Sequence, residues 1–365
     1  MKALYYPDWN ELELRDVDPP RPSEGEVLIR VAACGVCGSE IETFSIRSRR
    51  RTPPLIMGHE FCGFVEALGP NVEATATVFE GARVVSNAVL NCGRCDACLA
   101  GRTNLCPDRT VFGMHRPGAF AEFVTAPADC LFKWPDAVSA EEACLAEPLA
   151  NGIHVVGLIE RLKPRLVLII GSGSIGLMCL QAVRSRFEDA RCVVTDVDTV
   201  RLEVAKRLGA DTTVGSGTAD LSDTLRSLGG PDGGQSGADV VIDAAGTAAT
   251  KQLSIDLCRP GGAVVWIGLG EDQISLRSYD LTLAEKSVLG SYGATAANIR
   301  EALRLMEARH VDVSSWITTY EPPDWVDGFK RQLDPSTRDV KAVLTPVRTA
   351  DPNRSELNVF LKIKE

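Results

Sequence analysis

The sequence predicts an α/β protein of two lobes, a β-rich lobe interrupted by a doubly wound parallel sheet. Three observations carry this expectation. A chain of 365 residues is too long for one comfortable core. Residues 1 to 150 run in short alternating apolar segments punctuated by glycine and proline, the pattern of half-buried antiparallel strands. From about residue 153, buried apolar runs alternate with helical stretches, the order that builds a parallel sheet covered by helices on both faces.

In the first region, "EVLIRVAACGV", "CGFVEALG", "ARVVSNAVL" and "AFAEFVTAPADCLFKWP" read as strands. "RLVLIIGSGSIGLMCLQAVRSRF" then reads as a buried strand, a glycine turn and a helix, and "RCVVTDVDTVRLEVAKRLGA" repeats strand and helix. Further strands are expected at "ADVVIDAAG", "GGAVVWIGLG" and "SVLGSYG", with "GGPDGGQSG" as a short flexible loop. The stretch from "NIREALRLMEARHVDVSSWITTYE" through "DVKAVLTP" looks like a return to the first lobe. The expected division is 1–152 for the first part of the β-rich lobe, 153–293 for the parallel-sheet domain and 294–365 for the return.

Composition excludes several classes of function. Charged residues at 24% and hydrophobic residues at 45% are the balance of a globular protein. A formal charge of −10 disfavours non-specific nucleic-acid binding, which rewards a basic surface. No run approaches the roughly eighteen consecutive apolar residues of a membrane span. The N-terminus turns acidic without an apolar core, so no signal peptide is read and a cytoplasmic location is expected.

Twelve cysteines in a reducing compartment argue for metal binding rather than a disulfide framework. Cys92, Cys95, Cys98 and Cys106 stand in "NCGRCDACLAGRTNLC" with two, two and seven residues between them. Short C-x-x-C turns let paired sulfurs reach one ion, so the four fit a closed tetrahedral zinc site that stiffens a lobe and leaves no position for chemistry.

Gly171-Ser172-Gly173-Ser174-Ile175-Gly176 matches G-x-G-x-x-G directly after an apolar strand and before a helix. Asp196 ends the next predicted strand, where a carboxylate can accept hydrogen bonds from ribose hydroxyls and repel a 2′-phosphate. The pyrophosphate is expected on the N–H groups at the helix start, and Arg201 beside the ribose. The cofactor expected is therefore NAD.

Cys37 in "CGVCGSE" with His59 and Glu60 in "GHEFCG" offers the mixed donor set of a catalytic zinc that keeps a position open. Glu147 in "AEPLANGIH" is a fourth candidate for the same cleft. Between Cys37 and His59 lies "RSRRR", Arg47 to Arg51, the one basic cluster. It reads first as a solvated loop. Its position leaves two other roles open: capture of an anionic substrate such as a sugar or polyol phosphate, or pairing with acidic residues of a neighbouring subunit.

"CGVCGS", "GHE", the four-cysteine spacing, "EPLA" and "GSGSIG", in this order, resemble the zinc-dependent medium-chain dehydrogenases/reductases over nearly the whole chain. The resemblance implies a GroES-like catalytic lobe interrupted by a Rossmann domain, with the active site in the cleft between them. Glutamates at 60 and 147 are similar to the polyol and sugar dehydrogenase branch. It further implies two zinc ions per chain, one catalytic and one structural, and a small-molecule alcohol substrate. A homo-oligomer, dimer or tetramer, is expected. Ser39 would accept the substrate proton while hydride passes to NAD, and Glu60 and Glu147 would alternate on the metal.

Two departures stand out. Glu40 replaces the family's Asp, and its extra methylene is expected to disturb the support of the zinc ligands. Glu42 stands where many members carry a proton-relaying His. Two other functions compete with alcohol oxidation: reduction of a biosynthetic aldehyde or dehydro-sugar, and a non-enzymatic NAD(H)-binding regulator.

Overall fold

The computed structural model describes residues 1–215, 218–228, 237–334, 336–337 and 339–346. The expected glycine-rich loop from Gly229 to Ser236 and residues 347–365 of the expected return lie outside the described residues.

The chain opens with β1 (Lys2–Tyr6) and β2 (Glu13–Asp16), then β3 (Glu26–Gly35), α1 (Gly38–Ser45), β4 (Leu55–Ile56) and β5 (Glu60–Leu68). β6 (Arg83–Ser86), β7 (Val89–Leu90), α2 (Asp96–Leu99), β8 (Thr110–Val111), β9 (Phe123–Pro127) and β10 (Leu131–Lys133) follow. Helices α3 (Ala140–Ala143) and α4 (Ala146–Ile159) lead onward. The sequence reading places no strand before residue 26, yet β1 pairs with both β2 and β4 in a small antiparallel sheet. The first of these strands is short, and the second is mostly exposed, so neither shows a long alternating pattern.

The pairing that matters for function is β3 with β5. They run antiparallel, and Gly35 at the end of β3 faces Glu60 at the start of β5. Cys37 lies two residues beyond one strand and His59 one residue before the other, so the sheet register alone brings them together.

The second region repeats strand and helix: β11 (Leu166–Ile170), α5 (Ser174–Arg186), β12 (Arg191–Asp196), α6 (Thr199–Arg207), β13 (Thr212–Gly215), α7 (Thr218–Leu228), β14 (Ala238–Asp243), α8 (Ala248–Leu257), β15 (Cys258–Trp266), α9 (Tyr279–Thr282) and β16 (Ser287–Gly290). All strands are parallel in the order β13-β12-β11-β14-β15-β16. Chain order reverses between β11 and β14, and ligands of such sheets bind outside the carboxyl ends at that point. The unbroken apolar run of β11 follows from burial on two sides. Val167 and Ile169 pack in one cluster with α4 and α5, while Leu166, Leu168 and Ile170 pack in another with α7 and α8.

After α10 (Ala296–Glu307), β17 (Ile317–Tyr320) and α11 (Trp325–Leu333), strand β18 (Lys341–Leu344) inserts beside β3 in the first large sheet, with Val343 opposite Gly35. The expected border at 152/153 falls inside α4, which runs unbroken from Ala146 to Ile159.

Asp239 fixes the start of the parallel sheet. Its Oδ2 accepts from the N–H groups of Arg165 and Leu166, and its Oδ1 from Arg259 Nε. Burial opposes the charge, but Arg259 and the two N–H groups outweigh it and hold the carboxyl below its usual range. A depressed carboxyl pKa contributes stability above the unfolded-state value and loses it as pH falls through the folded value. Asp239→Asn is thus expected to cost about 1–3 kcal/mol in denaturant titrations at neutral pH. The gap from the parent should close below about pH 4. A gap that is independent of pH would refute this account.

Candidate active site

Cys37 caps α1. Its Sγ accepts from Ser39 N at 3.5 Å and Ser39 Oγ at 3.3 Å, and the sulfur and hydroxyl are both partly exposed. His59 is buried, and its Nδ1 meets Glu40 Oε1 at 3.0 Å, which leaves Nε2 as the nitrogen available to a ligand. The ligand atoms of Cys37, His59 and Glu60 lie within 4.8 Å of one another. Glu147, in the first turn of α4, lies outside that group of three but is buried and close enough to interact electrostatically with His59 and Glu60. Burial pushes its carboxyl up to about 7. Asn151 Nδ2 donates to its Oε2 at 3.1 Å.

Glu40 does not disturb the ligands. Its Oε2 accepts from Cys37 N at 3.0 Å, closing the capping box of α1, while Oε1 accepts from Gly58 N at 2.7 Å and faces His59. One fully buried carboxylate thus spans both segments that carry ligands. Glu40→Gln is expected to weaken zinc retention by about 10–100-fold, as outer-sphere changes do, measured by competition with a chelator. Unchanged retention would remove Glu40 from this role.

Two residues near the site carry no motif. Lys341 of β18 is buried and in ion-pair contact with Glu60 Oε2, though not along a hydrogen-bonding direction, and neither atom has another hydrogen-bond partner. A side chain on Gly35 would overlap Glu60 Oε2, so the glycine makes room for the pair. The signal in the sequence was a lone lysine heading the apolar run "KAVL". The second residue is Arg51. The solvated-loop reading of "RSRRR" fails for it, because Arg51 is buried, with its guanidinium bonded to protein acceptors. Arg50 grips both oxygens of Glu42 and Arg47 bonds Asn10 Oδ1, so Glu42 points to an arginine rather than into the cleft. Arg49 is exposed, and no side-chain partner is found for it among the described residues.

The four cysteines of the excursion converge. Cys92 Sγ lies 4.0 Å from Cys98 Sγ, and Cys95 Sγ lies 3.9 Å from Cys106 Sγ. These spacings are far beyond a disulfide and match the edge of a tetrahedron with metal–sulfur bonds of about 2.3 Å. N–H groups of Arg94 and Cys95 lower the Cys92 thiol to about 6. The donor set fits a structural zinc. The same excursion places buried Asn104, whose Nδ2 donates to Tyr292 O at 2.7 Å, immediately past β16.

The glycine turn follows β11 as expected. Gly171 has φ +97°, and a Cβ on Gly176 would strike Gly171 O, so neither position admits a side chain without rebuilding the turn. Gly173 caps α5 with Ser174 and Ile175 in its first turn, and no side-chain hydrogen bond caps the helix start. Asp196 Oδ2 accepts from Ser172 N at 2.5 Å and Ser172 Oγ at 2.9 Å, and Oδ1 from Asp198 N at 2.9 Å. Asp196 therefore also holds the turn, with acceptor capacity left for a ribose hydroxyl. Arg201 approaches Gly173 and pairs with Asp198 at 3.4 Å. Ser174 Oγ, Asp243 Oδ2 and Ser291 Oγ are buried without a partner, and all three lie at the carboxyl edge of the parallel sheet. Orphaned polar atoms there suit a dinucleotide.

Known families match both regions. "Alcohol dehydrogenase GroES-like domain" matches residues 23–136 and "Zinc-binding dehydrogenase" matches 174–308. The chain is 31% identical over 334 residues to D-arabitol-phosphate dehydrogenase of Enterococcus avium, covering 90% of this chain and 92% of that protein. It is 30% identical over 355 residues to sorbitol dehydrogenase of Bacillus subtilis, covering 95% and 98%. Among solved structures, an Escherichia coli alcohol dehydrogenase complexed with NADH has a TM-score of 0.84 at 27% identity, covering 95% and 99%. A zinc-binding dehydrogenase of Sinorhizobium meliloti bound to NADP has a TM-score of 0.82 at 30% identity, covering 94% and 99%. No helix among the described residues is long and apolar enough to cross a membrane.

Proposed function

The chain belongs to the zinc-binding alcohol dehydrogenase family, and we propose that it oxidises a secondary alcohol of a polyol or polyol phosphate with NAD, reversibly. The observation that carries the reading is the convergence of Cys37, His59 and Glu60 in a chain that also carries a dinucleotide-type parallel sheet. Zinc held by these residues would supply a Lewis acid for the substrate hydroxyl, and NAD an acceptor for hydride. Ser39 Oγ, within hydrogen-bond reach of Cys37 Sγ, would accept a hydrogen bond from that hydroxyl and orient it. Glu40 fixes the tautomer and plane of His59 through Nδ1. Lys341 and Glu147 give Glu60 one cationic and one carboxylate neighbour, and either glutamate would be available to the metal.

Four buried or half-buried thiols would hold the second zinc. All twelve cysteines are free, which suits the reducing cytoplasm, and we place the protein there as a homo-oligomer. The intact donor set argues against a non-enzymatic regulator; reduction of a dehydro-sugar's ketone is the same reaction reversed, and reduction of an aldehyde is the corresponding reaction of a primary alcohol. Of the arginine run, Arg49 is the residue left to meet an anionic substrate.

A panel of polyols, cyclitols, amino alcohols and polyol phosphates, followed by NADH absorbance, tests the reading. Failure of every polyol and polyol phosphate in zinc-replete protein would overturn it. Asp196→Ala is expected to shift the kcat/KM ratio of NAD over NADP toward NADP by about tenfold or more, through loss of the carboxylate that repels a 2′-phosphate. An unchanged ratio would remove Asp196 from the ribose.

A further inference from the structure

Arg51 is 2% exposed, and every guanidinium nitrogen is engaged. Nε donates to Gly113 O at 3.1 Å, Nη1 to Ser39 O at 2.9 Å and Thr43 Oγ1 at 3.2 Å, and Nη2 to Ser39 Oγ at 3.2 Å. The acceptors come from the first turns of α1, which Cys37 caps, and from the turn at Gly113. Gly113 has φ +65°, and a Cβ there would come within 2.8 Å of Gly58 N, so this turn lies directly on the backbone next to His59. Arg51 therefore braces both segments that present Cys37 and His59. All four acceptors are neutral, and a buried cation so held is a costly anchor for a loop.

The hydrogen-bond inventory gives it a second effect. A serine hydroxyl has one proton and two lone pairs, whereas arginine has no acceptor at all. With Nη2 on one lone pair, the Ser39 proton cannot turn toward Arg51 and points to Cys37 Sγ at 3.3 Å. One lone pair remains, open to a substrate hydroxyl.

We propose that Arg51 is the positioning residue of this site: it holds Ser39 as an acceptor toward the substrate and places a permanent positive charge one hydroxyl away from the Cys37 sulfur. The proposal rests on the reading that Cys37 and His59 hold the catalytic metal. Glu42 is tied to Arg50, and Arg51 stands against the first turns of α1 as a fixed cation.

The test uses cobalt(II) in place of zinc in the full-length protein, with thiolate-to-cobalt charge-transfer absorption as readout. The difference between wild type and Cys37→Ser isolates the Cys37 contribution. Arg51→Met is expected to keep two cobalt ions per chain and to move that band to lower energy, because a sulfur relieved of nearby positive charge donates more readily. On the best substrate of the panel, kcat should fall about 10–100-fold, the size of outer-sphere effects. In kcat, Arg51→Met should add little to Ser39→Ala, since that loss passes through the one hydroxyl, while the band shift should persist in the Ser39→Ala background. Arg51→Lys keeps the charge and should restore most of the band position; should Arg51→Met not fold, it takes that variant's place in the cycle with Ser39→Ala. An unmoved band, or losses that multiply between positions 39 and 51, would overturn the proposal. Two cobalt ions retained in Cys37→Ser would instead overturn the underlying metal assignment.

Discussion

Cys37→Ser and His59→Ala are each expected to lower turnover by about 10²-fold or more while the fold survives. The reasoning is geometric. Both residues sit at the ends of paired strands rather than inside them, so truncation removes a donor and leaves the β3–β5 ladder intact. Cys37 is partly exposed, and the cluster around β3 is built from other side chains, among them Ile29, Val31 and Phe61. Each variant should therefore lose one of two zinc ions and keep its denaturant midpoint near that of the parent depleted of the same ion. Retention of more than about a tenth of the wild-type rate would displace the catalytic centre from Cys37 and His59. Loss of both metals with unfolding would instead show that the site is needed for folding.

The parts of this molecule that declare themselves in sequence obey local rules. The glycine turn is legible because its demands are local: Gly171 adopts φ +97°, and a Cβ on Gly176 would meet Gly171 O five residues back. The four-cysteine excursion is legible because its ligands lie within fifteen residues of one another along the chain, a span that the short turns at Gly93 and Gly101 can close. The parallel sheet is legible because strands buried on both faces must be continuously apolar. What stayed hidden depends on contacts between distant segments. Lys341 meets Glu60 only because β18 inserts next to β3 after a long detour through the second region. Arg51 reads as one member of a basic run, and composition cannot say which of five neighbouring side chains turns inward. Glu40 reads as an oversized replacement because residue identity reports length, not the distance to be spanned. Asp196 was placed correctly at its strand end, yet its grip on Ser172 requires the turn's actual path.

Lys341→Met is expected to cost about 3–5 kcal/mol in metal-free protein, the second large effect, because it leaves the Glu60 carboxylate buried without its countercharge. Methionine is close to the lysine stem in volume, so the loss reports on charge rather than on a cavity. Burial opposes the ammonium, and Glu60 and Cys37 overcome it, so Lys341 is held protonated above its usual pKa. With Glu60→Gln in the same chain, most of the stability should return, since a neutral amide needs no cation. Zinc adds a discriminating arm. If Glu60 binds the metal, the ion replaces the missing countercharge, and the cost of Lys341→Met should shrink in zinc-loaded protein. If Glu147 is the metal-bound carboxylate, the cost should be the same with and without zinc. Denaturant titrations of the four proteins, with and without a chelator, separate these cases. A Lys341→Met cost below about 1 kcal/mol without metal would mean that Glu60 is not held as a buried anion by Lys341 at all.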